Sequence, residues 1–412
     1  MLQRRITMAL LAAVMLAGPL APAPLQAAIS LPNLGLPGSP CVPIDAALFS
    51  TPPGPGVSTS GLGPGAPAYY EIGLPTGAYA GLRPKAVMLT IHGGAWFMVG
   101  PAAAATERPE ADRWRAAGWL TVNISYRGCG DSIADVSWFY RRVREIEGPG
   151  YEVCATGSSA GAHLAMLLAA TFPDLGCVMG QGVLTDLAGL ATETAHDPLD
   201  GLFDQTLGPI LAQGWAGAAF GADPVSLGVA SPILHAADVR ARLLLADAHD
   251  DMAVPFQQAT DLAAAVKAAH PGAYVDTDQL ASGFATFTHA NVSQAALDDY
   301  RAREDALVAP LLPVPAINSP PANFIPRGGS LTGRASDTSA AIDSVTVTFT
   351  PAFGGPPAVR STNCSACGTS PVTWSVATAG LPAGFYDVLA AATSAEGNIG
   401  YSGTPGIRLL IG

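Results

Sequence analysis

Over much of the chain, continuous apolar runs of strand length alternate with stretches of helical spacing. Ala86 to Ile91, AVMLTI, is apolar almost throughout and reads as a strand buried on both faces. Leu120 to Tyr126, Tyr151 to Ala155, Val178 to Leu184, Arg242 to Ala246 and Ala273 to Leu280 are further strands, with Ala68 to Ile72 a first edge strand. Glu107 to Ala117, Asp131 to Glu147 and Gln257 to Ala269 read as helices, and in the second Val136, Phe139, Tyr140 and Val143 share one face. This order predicts an α/β fold, a mostly parallel sheet covered by helices on both faces. Thr185 to Ala230, rich in Gly and Ala and carrying Trp215 and Phe220, breaks the rhythm. It is expected to form a cap over the C-terminal edge of the sheet, where such sheets bind ligands.

Past Pro310 the pattern changes. Pro310, Pro313, Pro315, Pro320 and Pro321 stop any helix, and beyond them apolar residues alternate: Ile342, Val345, Val347, Phe349, then Val372, Trp374, Val376, then Tyr386, Val388, Ala390. Turn clusters at short intervals make this a small all-β sandwich. The expected organisation is an export signal (1–27), a Pro/Gly-rich extension (28–67), an α/β domain (68–309), a proline-rich linker (310–321) and the sandwich (322–412).

Composition sharpens the picture. A chain of 412 residues suits two domains, and a formal charge of −12 argues against nucleic acid or an anionic membrane as partner. Arg4 and Arg5, the apolar run Met8 to Leu16 and the small residues Ala27 and Ala28 have the layout of a secretory signal. The run is short and broken at Gly18-Pro19, so no stable membrane insertion is expected and the protein reads as secreted. Six cysteines in an exported chain invite disulfides. Cys364 and Cys367 are spaced to close a small loop. Cys41 with Cys129 and Cys154 with Cys177 is the pairing read for the rest, a buried free thiol at Cys154 being the alternative. No metal-ligand spacing is present.

Tyr151 to Ala170 carries the chemistry. A strand and a helix flank Gly157-Ser158-Ser159-Ala160-Gly161, which fits G-x-S-x-G with Ser159 at its centre. A strand turning sharply into a helix strains its central residue and needs nearly bare neighbours, here Gly157 and Gly161. A serine hydroxyl needs a base, and the base an acid that fixes its tautomer. In chain order the acid follows a later strand and the histidine comes last. After Leu243-Leu244-Leu245 come Asp247, Asp250 and Asp251, of which Asp251 stands in D-x-x-V-P; its bland reading is a turn aspartate. His270 and His289 alone follow Asp251. His270 precedes Pro271 at a helix end, and His289, in Phe287-Thr288-His289-Ala290-Asn291, is preferred. His163, His196 and His235 read as structural, and His92 as holding its own loop. His92-Gly93-Gly94-Ala95 offers near-bare backbone at a strand end, and each amide that meets an oxyanion is worth about 3 kcal/mol.

Together these residues resemble the α/β-hydrolase family, its esterase and lipase branches with an HGG-type oxyanion loop. The resemblance spans about Ala68 to Pro310: HGGAW, the GSSAG elbow, Ser231-Pro232, Asp251 in DMAVP, and His289. It implies Ser159 as nucleophile, His289 as base, Asp251 as acid, and the amides of Gly94, Ala95 and Ala160 as oxyanion donors, with no cofactor. HGGA stands where the family has HGGG, and the Ala95 methyl narrows the loop. Gly333 to Val347 and Gly384 to Gly400 resemble strands of bacterial immunoglobulin-like modules.

With the export signal read above, the resemblance implies a secreted serine hydrolase that cleaves carboxylic esters, small or polymeric, through an acyl-enzyme. The alternatives are a serine peptidase of the same fold, a polyester depolymerase or feruloyl-type esterase tethered by the C-terminal module, and a non-catalytic binding or adhesion protein. Tethering calls for exposed aromatics on that module. Phe324, Phe349, Phe353, Trp374, Phe385, Tyr386 and Tyr401 are the candidates, most of them expected in its core.

Overall fold

Val87 to Ile91 is buried at every position, and its side chains alternate between two separate apolar clusters. That is why the sequence shows an unbroken apolar run there: both faces of the strand meet protein. The computed structural model describes residues 43–45, 53–63, 65–148, 150–190, 213–248, 251, 253–280, 293–318, 320, 323–402 and 407–412. The segment read as an export signal, 1–27, lies outside them.

Eight strands form the first sheet: β1 (Val57–Ser58), β2 (Tyr70–Gly73), β3 (Val87–Ile91), β4 (Leu120–Ile124), β5 (Val153–Ser158), β6 (Cys177–Gln181), β7 (Arg242–Ala248) and β8 (Val275–Leu280). Their order is β8-β7-β6-β5-β3-β4-β2-β1. All pairs from β8 to β4 are parallel, and β2 and β1 join antiparallel. The Pro/Gly-rich extension thus supplies β1, and β2, expected as the edge strand, is not the edge. From β3 the chain passes to β4 on one side and then to β5 on the other. This reversal opens a crevice beyond the C-terminal ends of β3 and β5, the place where such sheets bind ligands.

The helices are α1 (Gly100–Ala105), α2 (Arg108–Ala116), α3 (Asp131–Glu147), α4 (Ala160–Thr171), α5 (Pro224–Val229), α6 (Gln257–Ala269) and α7 (Gln294–Val308). α3 buries Val136, Phe139, Tyr140 and Val143, the face read from the sequence. The larger core lies on the sheet face covered by α3, α4 and α6, and the smaller on the face of α2 and α7. Of the region expected to cap the sheet, 191–212 lies outside the described residues. The helical stretch 213–220 brings Phe220 to 5.2 Å from the ring of Trp96 and 5.5 Å from His163.

Cys154 and Cys177 are register partners on β5 and β6 and form a disulfide, so no free thiol sits there. Cys364 and Cys367 close the small loop. Cys129 is also disulfide-bonded; Cys41, its expected partner, lies outside the described residues.

The C-terminal strands are β9 (Val314–Asn318), β10 (Phe324–Ile325), β11 (Ser330–Ser336), β12 (Ile342–Pro351), β13 (Ala358–Ser361), β14 (Asn363–Ser365), β15 (Val372–Ala377), β16 (Gly384–Ser394), β17 (Ile399–Tyr401) and β18 (Ile407–Ile411). They make a four-stranded sheet, β9-β11-β15-β14, and a six-stranded one, β10-β18-β16-β12-β13 with β17 on β16. The two share one apolar core with Trp374 and Phe349 in it, a β-sandwich. Part of the stretch expected to be a linker, 310–321, is the edge strand β9, paired antiparallel with β11. An edge strand tolerates Pro315, whose missing N–H costs no ladder bond on the open side.

Three of the aromatics expected mostly in the sandwich core are exposed: Phe353 by 89%, Phe385 by 43% and Phe324 by 41%. Phe324, Leu410 and Phe385 lie opposite one another on β10, β18 and β16, and so share the outer face. Phe353 adds its ring 6.2 Å from that of Phe385.

The sandwich meets the first unit at the edge where β3 and β5 begin. Ile399 N donates to Lys85 O (3.3 Å), Tyr401 Oη to Arg83 O (2.7 Å) and Glu152 N to Asn398 Oδ1 (2.6 Å). Among the described residues no helix is long and apolar enough to cross a membrane.

Candidate active site

Ser159 joins β5 to α4 at φ 52°, ψ −122°, a conformation that a residue with a side chain rarely adopts. The glycines on either side permit it. A β-carbon at Gly157 would lie 2.6 Å from Ile91 O, and one at Gly161 1.9 Å from the same oxygen. Ser159 N donates to Gln181 O at 2.7 Å, and Ser159 O accepts from His163 N at 3.0 Å. The elbow is bonded into β6 behind it and α4 ahead of it.

β3 runs into His92-Gly93-Gly94-Ala95 on the same edge. The His92 ring is fully buried and stacks on Tyr126 at 4.3 Å. Nδ1 donates to Gly93 O at 2.6 Å, since a carbonyl only accepts, and Nε2 accepts from the Ser125 hydroxyl at 3.2 Å. Burial pulls the pKa of His92 down to about 4, so the ring is neutral. Tyr126 Oη donates to both His92 O (3.1 Å) and Gly93 O (3.2 Å). These bonds turn the loop carbonyls inward. Gly94, Ala95 and Trp96 follow with φ of 108°, 51° and 64°, so Ala95 carries its methyl in a left-handed conformation that glycine would occupy freely. A β-carbon at Gly93 would sit 3.3 Å from Ser159 Cβ, which measures how closely loop and elbow approach. The amides of Gly94, Ala95 and Ala160 have no acceptor among the described residues, and Ala160 N lies at a helix N-terminus, which favours negative charge.

Asp251 follows β7, two strands along on this edge. Its Oδ1 accepts from Ala253 N (2.8 Å) and Val254 N (2.9 Å), the bonds of a turn aspartate. Its competitor Asp247 is buried and holds Val183 N at 2.9 Å; Asp250 lies outside the described residues. His289 lies outside them too, as does His196. His270 is placed: it ends α6, receives Arg240 Nη1 on Nδ1 (2.6 Å) and bonds Ala237 O through Nε2 (2.8 Å). It precedes β8, at the sheet edge opposite Ser159. His163 accepts from Trp96 Nε1 at 3.2 Å and donates to Ala230 O at 2.7 Å, a buried strut between the loop and the segment that follows α5. His235 bonds Val229 O at 2.9 Å. Ser231 accepts from Leu187 N at 2.9 Å.

The fold therefore gathers Ser159, Ala160, Gly94 and Ala95 in one crevice, with Asp251 on the same edge. Sequence reasoning missed Glu107, Ser158 and Tyr126. Ser158 Oγ donates to Glu107 Oε1 at 2.6 Å. Burial pushes the Glu107 carboxyl up to about 7; the Ser158 bond opposes this and the charge of Glu110 adds to it. The phenol of Tyr126 is raised by burial and by the charge of Glu107. Nothing local marks these residues, because each acts through a partner distant in the chain.

A family model described as BD-FAE matches residues 77–266, a span that takes in the loop, the elbow and Asp251 and stops before His289. Among solved structures, esterase 2 of Thermogutta terrifontis is 17% identical with a TM-score of 0.47, over 63% of this chain and 96% of that one. The acetyl ester-xyloside bifunctional hydrolase of Caldicellulosiruptor lactoaceticus is 16% identical with a TM-score of 0.46, over 59% and 88%. The acylaminoacyl peptidase of Pyrococcus horikoshii is 13% identical with a TM-score of 0.43, over 58% and 39%. No curated protein matches. Sheet order, elbow and HGG loop agree with that match: the chain has an α/β-hydrolase fold, in which residues 77–266 match the BD-FAE esterase family, followed by a β-sandwich.

Proposed function

We propose that the protein is a secreted hydrolase that cleaves carboxylic esters through an acyl-serine intermediate. The observation that carries this reading is the strained Ser159 elbow beside a loop whose carbonyls are turned inward and whose amides have no acceptor among the described residues. In this reading His289 takes the Ser159 proton as Oγ bonds the ester carbon, and the carbonyl oxygen gains charge between the amides of Gly94, Ala95 and Ala160. Collapse breaks the bond to the alcohol, which leaves with the proton from His289. Water then repeats the sequence and frees the acid. Asp251 keeps the His289 ring oriented and stabilises its cation. Of the two histidines that follow Asp251, His270 lies at the wrong edge of the sheet, which favours His289. No cofactor is called for.

Hydrolysis of p-nitrophenyl esters from acetate to palmitate, by the protein and by Ser159→Ala, tests the reading. Turnover that disappears in the variant supports it, and the chain-length profile separates a short-chain esterase from a lipase. A folded protein that leaves every ester intact refutes it and favours the peptidase or the adhesion reading.

A second reading concerns the sandwich, which we take to be immunoglobulin-like. The exposed row of Phe324, Phe385 and Phe353 favours attachment to an uncharged polymer, since Asp387 and Arg408 on the same face pair with each other (2.8 and 3.0 Å).

A further inference from the structure

Glu107 stands where α2 begins, next to the residue that precedes the nucleophile. We propose that it is a positioning residue for the hydrolysis: its carboxylate holds the Ser158 hydroxyl and, through Ser158, the elbow that aims Ser159. The inference rests on the reading of Ser159 as nucleophile.

Three observations carry it. The peptide ahead of Ser159 is held from both sides. The Ser158 hydroxyl donates to Glu107 Oε1 at 2.6 Å, and Ser158 O packs against Gly93, where a β-carbon would come within 2.9 Å. A residue in the Ser159 conformation persists only when its surroundings over-determine it, and this pair of restraints does so on the side of β5. Second, Glu107 is poorly suited to a role in stability. It is half-buried, it makes no ion pair among the described residues, and one hydroxyl is a meagre partner for a carboxylate drawn partly out of water. An apolar side chain in this place would favour folding more, so its presence calls for another account. Third, its anchor is firm. α2 is tied to α7 by Arg113, which pairs with Glu304 and also with Glu110 of its own helix at 2.9 Å. The Glu107 carboxylate also lies near Tyr126, the phenol that holds the carbonyls of His92 and Gly93. Glu107 thus faces the elbow through Ser158 and the loop through Tyr126.

The test compares wild type with Glu107→Ala, Glu107→Gln, Ser158→Ala and the double alanine variant. Each is assayed for p-nitrophenyl acetate turnover and for the rate at which a fluorophosphonate labels Ser159, with a thermal melt as control. Glu107→Ala and Ser158→Ala are each expected to lower kcat and the labelling rate by about tenfold to a hundredfold with KM within about twofold, as misaiming does. The double variant should lose no more than either single one. Glu107→Gln, whose amide oxygen still accepts from Ser158, should keep most of the rate. Ser158→Ala removes one oxygen only and keeps the test valid should Glu107→Ala misfold. Wild-type kcat in a folded Ser158→Ala, or losses that multiply in the double variant, overturns the proposal alone. A wild type that neither turns over ester nor takes the label overturns the hydrolase reading and this proposal with it.

Discussion

Gly161 presses against the carbonyl of Ile91 so closely that a β-carbon on it would lie 1.9 Å from the oxygen. This contact seats α4 on the end of β3 and brings elbow and loop together. Gly161→Ala is expected to cost several kcal/mol, about 3 or more, because backbone must move on both sides. Urea unfolding measures the loss, and ester turnover should fall with it.

Ser159 sits at φ 52°, and on the proposed reading it does so for the sake of its hydroxyl. Ser159→Gly should therefore abolish turnover and yet raise stability by about 1 kcal/mol, since glycine adopts that conformation without strain. A melt and an ester assay on the one variant check both halves. A drop in melting temperature would show that the elbow is not strained.

Acid should loosen the fold through two buried rings. Burial lowers the pKa of His92 and of His163 from 6.5 to about 4. Between those values the unfolded chain takes up protons that the folded chain refuses, so stability falls as pH drops through that window. Each ring accounts for about 3 kcal/mol across the full shift. His163→Gln should flatten the decline seen in urea titrations between pH 6.5 and 4.

Glu107 works in the opposite direction. Its folded pKa is about 7 against 4.5 for the free group, so its contribution to stability falls as pH rises from 4.5 to 7 and is spent above that. The titratable groups about it are Glu110 and the Tyr126 phenol, with the Ser158 hydroxyl bonded to it. Glu107→Gln should gain on wild type at pH 8 by up to about 3 kcal/mol and match it near pH 4.5. Melting curves at the two pH values decide it.

The row of Phe324, Phe385 and Phe353 makes a separable prediction. If the sandwich attaches to a polymer as proposed, Phe353→Ala with Phe385→Ala should leave p-nitrophenyl acetate turnover unchanged and reduce retention on that polymer. Pull-down against polyester granules and plant cell-wall polysaccharide tells which solid is held. Equal retention of variant and wild type would remove the aromatic row from that role.

The sequence was most readable where burial is one-dimensional. β3 lies under protein on both faces, so its apolar run announces it, and α3 has one buried stripe at helical spacing, so its limits emerge intact. α1, Gly100–Ala105, escaped because a run of alanines has no face to read. β9 was mistaken for linker because Pro315 signals a stop, and only pairing with β11 shows that it lies on an edge. The elbow and the HGG loop were legible since tight turns dictate their own residues. Glu107 was not, because its bond to Ser158 joins residues 51 apart in the chain.

The sandwich grips the first unit at Lys85 and Glu152, just ahead of β3 and β5, whereas Ser159 lies past the far end of β5. Six residues of strand, about 20 Å, separate the two ends. The sandwich is thus docked at the rear of the two strands that carry the loop and the elbow, and the residues that dock it leave the front of the sheet uncovered.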